Sequence, residues 1–344
     1  MTYTVYQHWD PLRVMVVGKS YPPETYDYIT NEKVRKVFYQ IAEETEEDYQ
    51  KLITLLKKFN VSVIRPDIEN VLELNKQHLK NNEMLIPPSF LMQPRDTQIM
   101  LGSNFYADNR FLIWDNLISH ITEQGSVYKA DIPYAAEVKS KINAAIATRV
   151  GKDLYIGTHF ILEKELQSFN DIQKLLPEYR THIIDTQGHT DATFCPVVPG
   201  LILSIHSEIE YQNTFPNWEV VYLRGEHWHK VMPWIHLKAK NRGKWWVPGQ
   251  ELNDDFTDFV EQWMQHWVGY VEETVFDVNM FMIDRKNVIV NGYNQKAFDA
   301  FSRYGITPHI CNFRHRYFWD GGLHCITSDI HREGVMEDYF PERG

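Results

Sequence analysis

Cysteine is scarce in this chain: Cys195, Cys311 and Cys325 are the only three in 344 residues. None is spaced as Cys-x-x-Cys, and an odd, sparse set excludes a disulfide framework and a cysteine-rich zinc site. The thiols therefore point to a reducing, cytoplasmic setting. Long apolar runs are also lacking, since no stretch approaches the roughly 18 residues that a membrane-spanning helix needs. No block of basic residues occurs: 35 Lys and Arg stand against 46 Asp and Glu, a formal charge of −11. Binding to nucleic acid by counterion release is excluded on that balance. No Ser/Gly/Pro-rich linker interrupts the sequence, which reads as one domain over residues 1–344. The opening residues Met1 to Asp10 are polar and aromatic, unlike a signal or transit peptide.

What is present is an ordinary globular composition, 43% apolar and 24% charged, with alternating strand and helix patterns. Arg13 to Gly18 reads as a strand, Asn31 to Phe59 as a helix, and Val61 to Arg65 as a strand stopped by Pro66. The order recurs with the strand Asp153–Gly157, the helix Phe169–Leu176 and the strand Thr181–Asp185. Leu201–Ser204 and Val220–Leu223 read as further strands. Near the end come strands at Met280–Ile283 and Val288–Val290, a helix at Gln295–Tyr304 and a strand at Ile306–Ile310. Such alternation indicates an α/β architecture. No repeat is visible in the sequence. Seven of the ten tryptophans fall between Tyr211 and Tyr270, with His227, His229, His236 and His266. That stretch reads as an aromatic insertion packed on the core, or as the contact surface of a homodimer.

Four stretches carry chemistry. In Asp320-Gly-Gly-Leu-His-Cys-Ile-Thr-Ser-Asp329, two glycines permit close backbone approach to Cys325, which reads as a nucleophile or as a packed thiol. In Gly188-His-Thr-Asp-Ala-Thr-Phe194, an extended backbone would set His189 and Asp191 on one face. In Met92-Gln-Pro-Arg-Asp96-Thr-Gln-Ile-Met-Leu-Gly102, a charged pair enters an apolar strand, as a surface salt bridge would at a strand mouth. Ile142-Asn-Ala-Ala-Ile-Ala-Thr-Arg-Val-Gly-Lys-Asp153 is a small-residue segment ahead of a strand, with Asn143 and Arg149 in it. Taken together, a thiolate can attack an electrophilic carbon and a histidine can shuttle the protons. Two carboxylates can grip a guanidinium through paired hydrogen bonds.

These motifs resemble one family, the amidinotransferases of the guanidino-group-modifying (pentein) superfamily, of the glycine amidinotransferase type. The likeness runs from Trp9-Asp-Pro-Leu12 and Val16-Val-Gly18 through Pro94-Arg-Asp96 and Arg149-Val-Gly-Lys-Asp153. It continues through His189-Thr-Asp-Ala-Thr-Phe194 and Pro199-Gly-Leu-Ile-Leu-Ser204 to Gly321-Gly-Leu-His-Cys325, in order along nearly the whole chain. The resemblance implies an α/β propeller of five ββαβ modules with pseudo-fivefold symmetry, and a catalytic domain without metal or cofactor. It implies Cys325 as nucleophile, His189 as general acid and base, and Asp96 and Asp191 as the guanidinium clamp. Arg149 is a further candidate substrate contact. The partners it implies are small molecules, a guanidino donor and an acceptor amine.

Two positions depart from the family pattern. The aspartate that partners the histidine falls on Asn143, which can orient an imidazole but cannot offset its charge; Asp131 or Glu137 are alternative acids. The arginine that follows the Leu-Ser segment is also missing, since the run here is Leu203-Ser-Ile-His-Ser-Glu208. Three activities fit these residues: amidino transfer, hydrolysis with water replacing the acceptor, and binding of a guanidino ligand without turnover.

Overall fold

The computed structural model describes residues 2–78, 88–107, 113–130, 142–158, 173–174, 176–186, 189–205, 210–223, 247, 249–250, 252–263 and 275–343. The helix Glu32–Lys58 illustrates how local sequence builds its elements. Asn31 Oδ1 caps it by accepting from the amides of Lys33 and Val34, satisfying donors that the first turn leaves open. Val34, Phe38, Ile41, Tyr49, Leu52 and Leu56 recur at helical spacing and are buried. Lys57 and Lys58 close the last turn, where cations suit the helix dipole. Asn60 then takes a left-handed conformation (φ 59), which asparagine tolerates better than most residues.

Among the described residues, fifteen strands form five three-stranded sheets. They are β1 (Leu12–Val17), β2 (Ser62–Ile64), β3 (Gln98–Leu101), β4 (Asn104–Ala107), β5 (Val127–Ala130), β6 (Ala147–Val150), β7 (Asp153–Thr158) and β8 (Arg180–Asp185). The remainder are β9 (Phe194–Val198), β10 (Leu201–Ser204), β11 (Glu219–Tyr222), β12 (Phe281–Asp284), β13 (Asn287–Val290), β14 (Thr307–Ile310) and β15 (Thr327–Arg332). One pattern repeats in four sheets: an antiparallel hairpin, then a third strand parallel to the second. It holds for β3-β4-β5, β6-β7-β8, β9-β10-β11 and β12-β13-β14. The fifth sheet keeps the pattern by joining the two ends of the chain, with β15 antiparallel to β1 and β1 parallel to β2. Helices lie in crossovers from second to third strand, as a parallel connection requires: Asp115–Glu123 between β4 and β5, and Gln295–Arg303 between β13 and β14. This is the repeated ββαβ architecture expected of a pentein propeller.

The first strands β3, β6, β9 and β15 are buried along their whole length; β3 and β9 are largely apolar, whereas β6 and β15 bury the charged side chains Arg149, Asp329 and Arg332. The expected strands at Arg13–Gly18, Asp153–Gly157, Leu201–Ser204 and Val288–Val290 correspond to β1, β7, β10 and β13. The expected helix Phe169–Leu176 lies mostly outside the described residues. Within the Trp-rich stretch, Glu219–Tyr222 form the third strand of the β9-β10-β11 sheet, and Trp218 packs against Trp9, Phe215 and Phe340; residues 224–246 and 264–270 lie outside the described residues. His227, His229, His236 and His266 lie outside the described residues. Among the described residues, no helix is long and apolar enough to cross a membrane.

Candidate active site

Each hairpin is entered by a short turn, and the five turns meet one another. Asp96 ends the 3-10 turn Pro94–Asp96 just ahead of β3, and Ala145 lies in the turn ahead of β6. Asp191 sits in the 3-10 turn Thr190–Ala192 ahead of β9, while Asn279 lies two residues ahead of β12 and Cys325 two residues ahead of β15. Hydrogen bonds run from turn to turn. Ala144 N donates to Arg95 O (3.1 Å) and Thr190 N to Ala145 O (2.9 Å). Asn279 Nδ2 donates to Asp191 O (3.2 Å), and His324 N donates to Asn279 Oδ1 (2.9 Å). Arg95 Nε closes the ring on His324 O (2.8 Å). Buried backbone groups are thereby satisfied without regular structure.

The Cys325 sulfur lies inside this ring, 3.0 Å from Asn279 Nδ2 and 3.5 Å from Asp191 Oδ2. Burial and the negative charges of Asp191, Asp96 and Asp320 push its thiol well above the ordinary range, against the hydrogen bond from Asn279. Asp191 Oδ2 also accepts from His324 Nδ1 at 2.8 Å. His324 is driven down to about 4 by burial and by the Arg95 charge, so at neutral pH this is a hydrogen bond from a neutral ring. Burial by itself would raise Asp191, but the His324 hydrogen bond and the charges around it hold the carboxyl below its ordinary value. Asp96 goes the other way, up to about 6, through burial reinforced by Asp191. Asp96 Oδ1 and Asp191 Oδ1 are both buried and accept no hydrogen bond from the described residues.

His189 Nδ1 lies 3.9 Å from Asp96 Oδ1, with the ring 41% exposed. Desolvation opposes its protonation, yet Asp96, Asp191 and Asp320 outweigh that and raise it above the ordinary histidine value; water on the open side of the ring screens part of this effect. Asp320 is itself pushed to about 6 by burial and Asp96, and its backbone is left-handed (φ 51, ψ 44). A left-handed non-glycine residue next to a reactive group is the kind of local strain found at functional sites.

The structure therefore brings Cys325, Asp96, Asp191 and His189 together, but not in the expected pairs. His189 is extended (φ −66, ψ 138), but the chain enters the 3-10 turn Thr190–Ala192 directly after it, so Asp191 turns to His324 while His189 faces Asp96. Arg95 and Asp96 do not form a surface salt bridge. Arg95 is 2% exposed and bonds to His324 O and Thr327 O, whereas Asp96 faces the site. Asn143 Oδ1 accepts from the amides of Ala145 and Ile146 (3.0 and 3.1 Å). Asn143 thus shapes the turn whose Ala145 carbonyl holds Thr190, next to His189. Arg149 has its two terminal nitrogens on Met100 O and Asp329 Oδ1 (2.7 and 2.6 Å), away from the thiol. Asp131 and Glu137 lie outside the described residues. Cys195 and Cys311 are buried thiols raised by desolvation to about 12 and about 11. Sequence reasoning assigned no role to Asn279, His324 or Asp320. The signal that marks Asn279, a place just ahead of the first strand of a module, becomes readable only once the five modules are aligned.

No protein-family model matches the chain. It is 23% identical over 395 residues to the mitochondrial glycine amidinotransferase of Xenopus tropicalis, covering 97% of this chain and 84% of that protein. Among solved structures, the inosamine-phosphate amidinotransferase of Streptomyces griseus superposes with a TM-score of 0.65 at 18% identity, over 98% of this chain and 99% of that one. A hydrolase is also similar in fold: the dimethylarginine dimethylaminohydrolase of Pseudomonas aeruginosa, with a TM-score of 0.53 at 10% identity, over 93% of this chain and 100% of that one. The chain is thus similar over nearly its full length to a glycine amidinotransferase, and it shares its fold with a solved amidinotransferase.

Proposed function

We propose that this protein moves an amidino group from an arginine-like guanidino donor to an acceptor amine, through a covalent intermediate on Cys325. One observation carries the reading: a buried thiol and an imidazole share a site with two carboxylates, each of which keeps one buried oxygen without a hydrogen-bond donor. A planar guanidinium supplies N–H donors in the geometry that carboxylates accept. Similarity to glycine amidinotransferase supports transfer as the outcome.

In the first half-reaction, the Cys325 sulfur bonds to the guanidino carbon and the bond from that carbon to the donor's amine breaks. The thiol proton passes through His189 to the departing amine. In the second, the acceptor amine attacks the same carbon, the sulfur–carbon bond breaks, and the amine's proton returns through His189 to the sulfur. This is ping-pong chemistry. Asp96 and Asp191 hold the cation in both halves, Asn143 shapes the turn that supports the histidine segment, and Arg149 acts from behind the site through Asp329. The carboxylates that raise the thiol in the free protein are offset when the cation binds, so donor binding itself favours the thiolate.

Incubation with arginine without an acceptor is expected to leave an amidino adduct on Cys325 in peptide mass spectra, and glycine or another amine to discharge it. An unmodified Cys325 after turnover of the donor would sink the covalent route. Hydrolysis is the second reading, supported by the fold shared with dimethylarginine dimethylaminohydrolase; urea or citrulline formed at the same rate with and without acceptor amine would favour it.

The raised carboxyl of Asp96 also sets a pH dependence. Below about 6 it is protonated and loses its hold on a cation, so kcat/KM is expected to fall about tenfold per pH unit on the acid side and to level off above. Asp320 titrates in the same range, and protonation of the raised His189 would also withdraw the acceptor of the thiol proton, so the limb belongs to Asp96 only if it survives Asp320→Asn and changes in Asp96→Asn. A flat profile down to pH 5 would remove Asp96 from donor binding.

A further inference from the structure

The five entry turns hold equivalent positions in the repeat, and three of them supply Asp96, Asp191 and Cys325. The turn ahead of β12 supplies Asn279, a residue 1% exposed that no sequence motif singled out. Its carboxamide uses its full hydrogen-bonding capacity. Oδ1 accepts from His324 N (2.9 Å) and Cys325 N (3.2 Å), while Nδ2 donates to Asp191 O (3.2 Å) and to Cys325 Sγ (3.0 Å). Two backbone donors facing one end of the amide fix its orientation, because the flipped amide would set N–H against N–H. The NH2 group must therefore point at the sulfur. Asn291 braces this arrangement from behind, donating to Asn279 O (2.7 Å) and accepting from Leu323 N (3.1 Å). Gly322 lets the turn come this close, since a Cβ there would lie 2.6 Å from Asn279 Oδ1.

We propose that Asn279 is a catalytic residue, the side-chain donor that stabilises negative charge on the Cys325 sulfur whenever the thiolate forms. The inference rests on the covalent reading of Cys325 given above. In that reading the thiolate appears twice, once before it attacks the donor and once when the acceptor amine expels it, so one fixed donor serves both halves. The need for it comes from the surroundings. Asp191, Asp96 and Asp320 all raise the thiol, and Arg95, whose own charge is affected by Cys325, is the cation facing it from the neighbouring turn. A preorganised N–H aimed at the place where charge develops costs no reorganisation at the moment of reaction.

The test reads the thiol directly. The rate of Cys325 alkylation by iodoacetamide would be followed across pH by peptide mass spectrometry, which separates it from Cys195 and Cys311. Asn279→Leu keeps the side-chain volume with neither donor nor added charge, and Asn279→Ala removes the carboxamide. Either variant is expected to move the alkylation profile up by about one pH unit or more, about tenfold slower at a fixed pH below the midpoint. Asn291→Ala loosens the same turn without touching the sulfur, and is expected to lower the urea midpoint while keeping the wild-type profile. A wild-type profile in either folded Asn279 variant would overturn the proposal. So would an equal shift in Asn291→Ala, which would assign the effect to the turn's structure. If Asn279→Ala fails to fold, Asn279→Leu decides. No transfer is measured here, so a wild-type protein that formed no amidino adduct would reject the covalent reading and still leave the role of Asn279 at the sulfur to this profile.

Discussion

Cys325→Ala is expected to reduce amidino transfer by about 10⁴-fold or more, the scale seen when a nucleophile is deleted from a covalent mechanism. The physical reason is that nothing else at the site can take its place. Among the side chains at the carboxylate pair, His189 is an imidazole facing Asp96, and Asn279 is a neutral amide with its capacity used. Cys195 and Cys311 are buried thiols held up at about 12 and about 11. The substitution removes only a sulfur atom from a small side chain, and the hydrogen bonds of Cys325 N and His324 N to Asn279 remain available. The variant is therefore expected to stay folded and to bind a guanidino ligand, because Asp96 and Asp191 are untouched. Calorimetry with arginine and a coupled assay of the transferred product separate the two effects. Turnover within tenfold of wild type would exclude Cys325 as the nucleophile, whereas loss of binding along with activity would mean that the sulfur helps build the pocket.

Asp329→Asn is expected to produce the largest loss of stability. Asp329 Oδ1 accepts from Arg149 Nη2 at 2.6 Å and lies 3.4 Å from Arg95 Nη2, while Oδ2 accepts from Arg332 Nε at 2.8 Å. All four side chains are 4% exposed or less. One carboxylate thus stands among three guanidinium groups drawn from turns and strands far apart in sequence, and those charges hold it well below the ordinary carboxylate range. Neutralising it leaves three buried cations without their counter-charge. Breaking a buried ion pair in this way costs about 3–5 kcal/mol, a large part of a typical folding stability of about 5–15 kcal/mol. Urea unfolding followed by tryptophan fluorescence at pH 7 would measure it. A depressed carboxyl contributes stability that is fully present above its unfolded value and is lost as pH falls through the folded one. The gap between wild type and variant should accordingly persist at pH 5 and narrow only in strong acid. A difference below about 1 kcal/mol at pH 7, the range of an exposed pair, would show that the cluster contributes little.

The candidate site was partly legible in the sequence because its chemistry resides in residue types that carry their reactivity with them. Cys325 beside two glycines, a His-x-Asp and an Arg-Asp pair each suggested a role. The pairings were not legible, since they depend on turn geometry. A 3-10 turn advances three residues per revolution, so Asp191 does not share a face with His189 as it would in a strand, and His324 becomes its partner instead. The same geometry separates Arg95, which points into the core, from Asp96, which points into the site. Asn143 shows the other limit. The sequence registers the loss of a charge at that position, whereas only the fold reveals that Asn143 caps its own turn and that Asp96, Asp191 and Asp320 surround the imidazole.

The scarcity of cysteine, the absence of apolar spans and basic blocks, and the strand–helix alternation were determined by the sequence alone. Composition and local periodicity govern them, and neither depends on which segments meet. The tertiary structure decided the rest: the fivefold repeat, the ring of turns, the neighbours of each acid and the place of Asn279 against the sulfur. These arise from contacts between segments often more than a hundred residues apart, such as Asp191 with Cys325 and Arg149 with Asp329. Burial among such neighbours splits two carboxyls of one residue type, raising Asp96 to about 6 while lowering Asp191. Solvation and nearby charge set that difference, and both exist only once the chain has closed β15 onto β1.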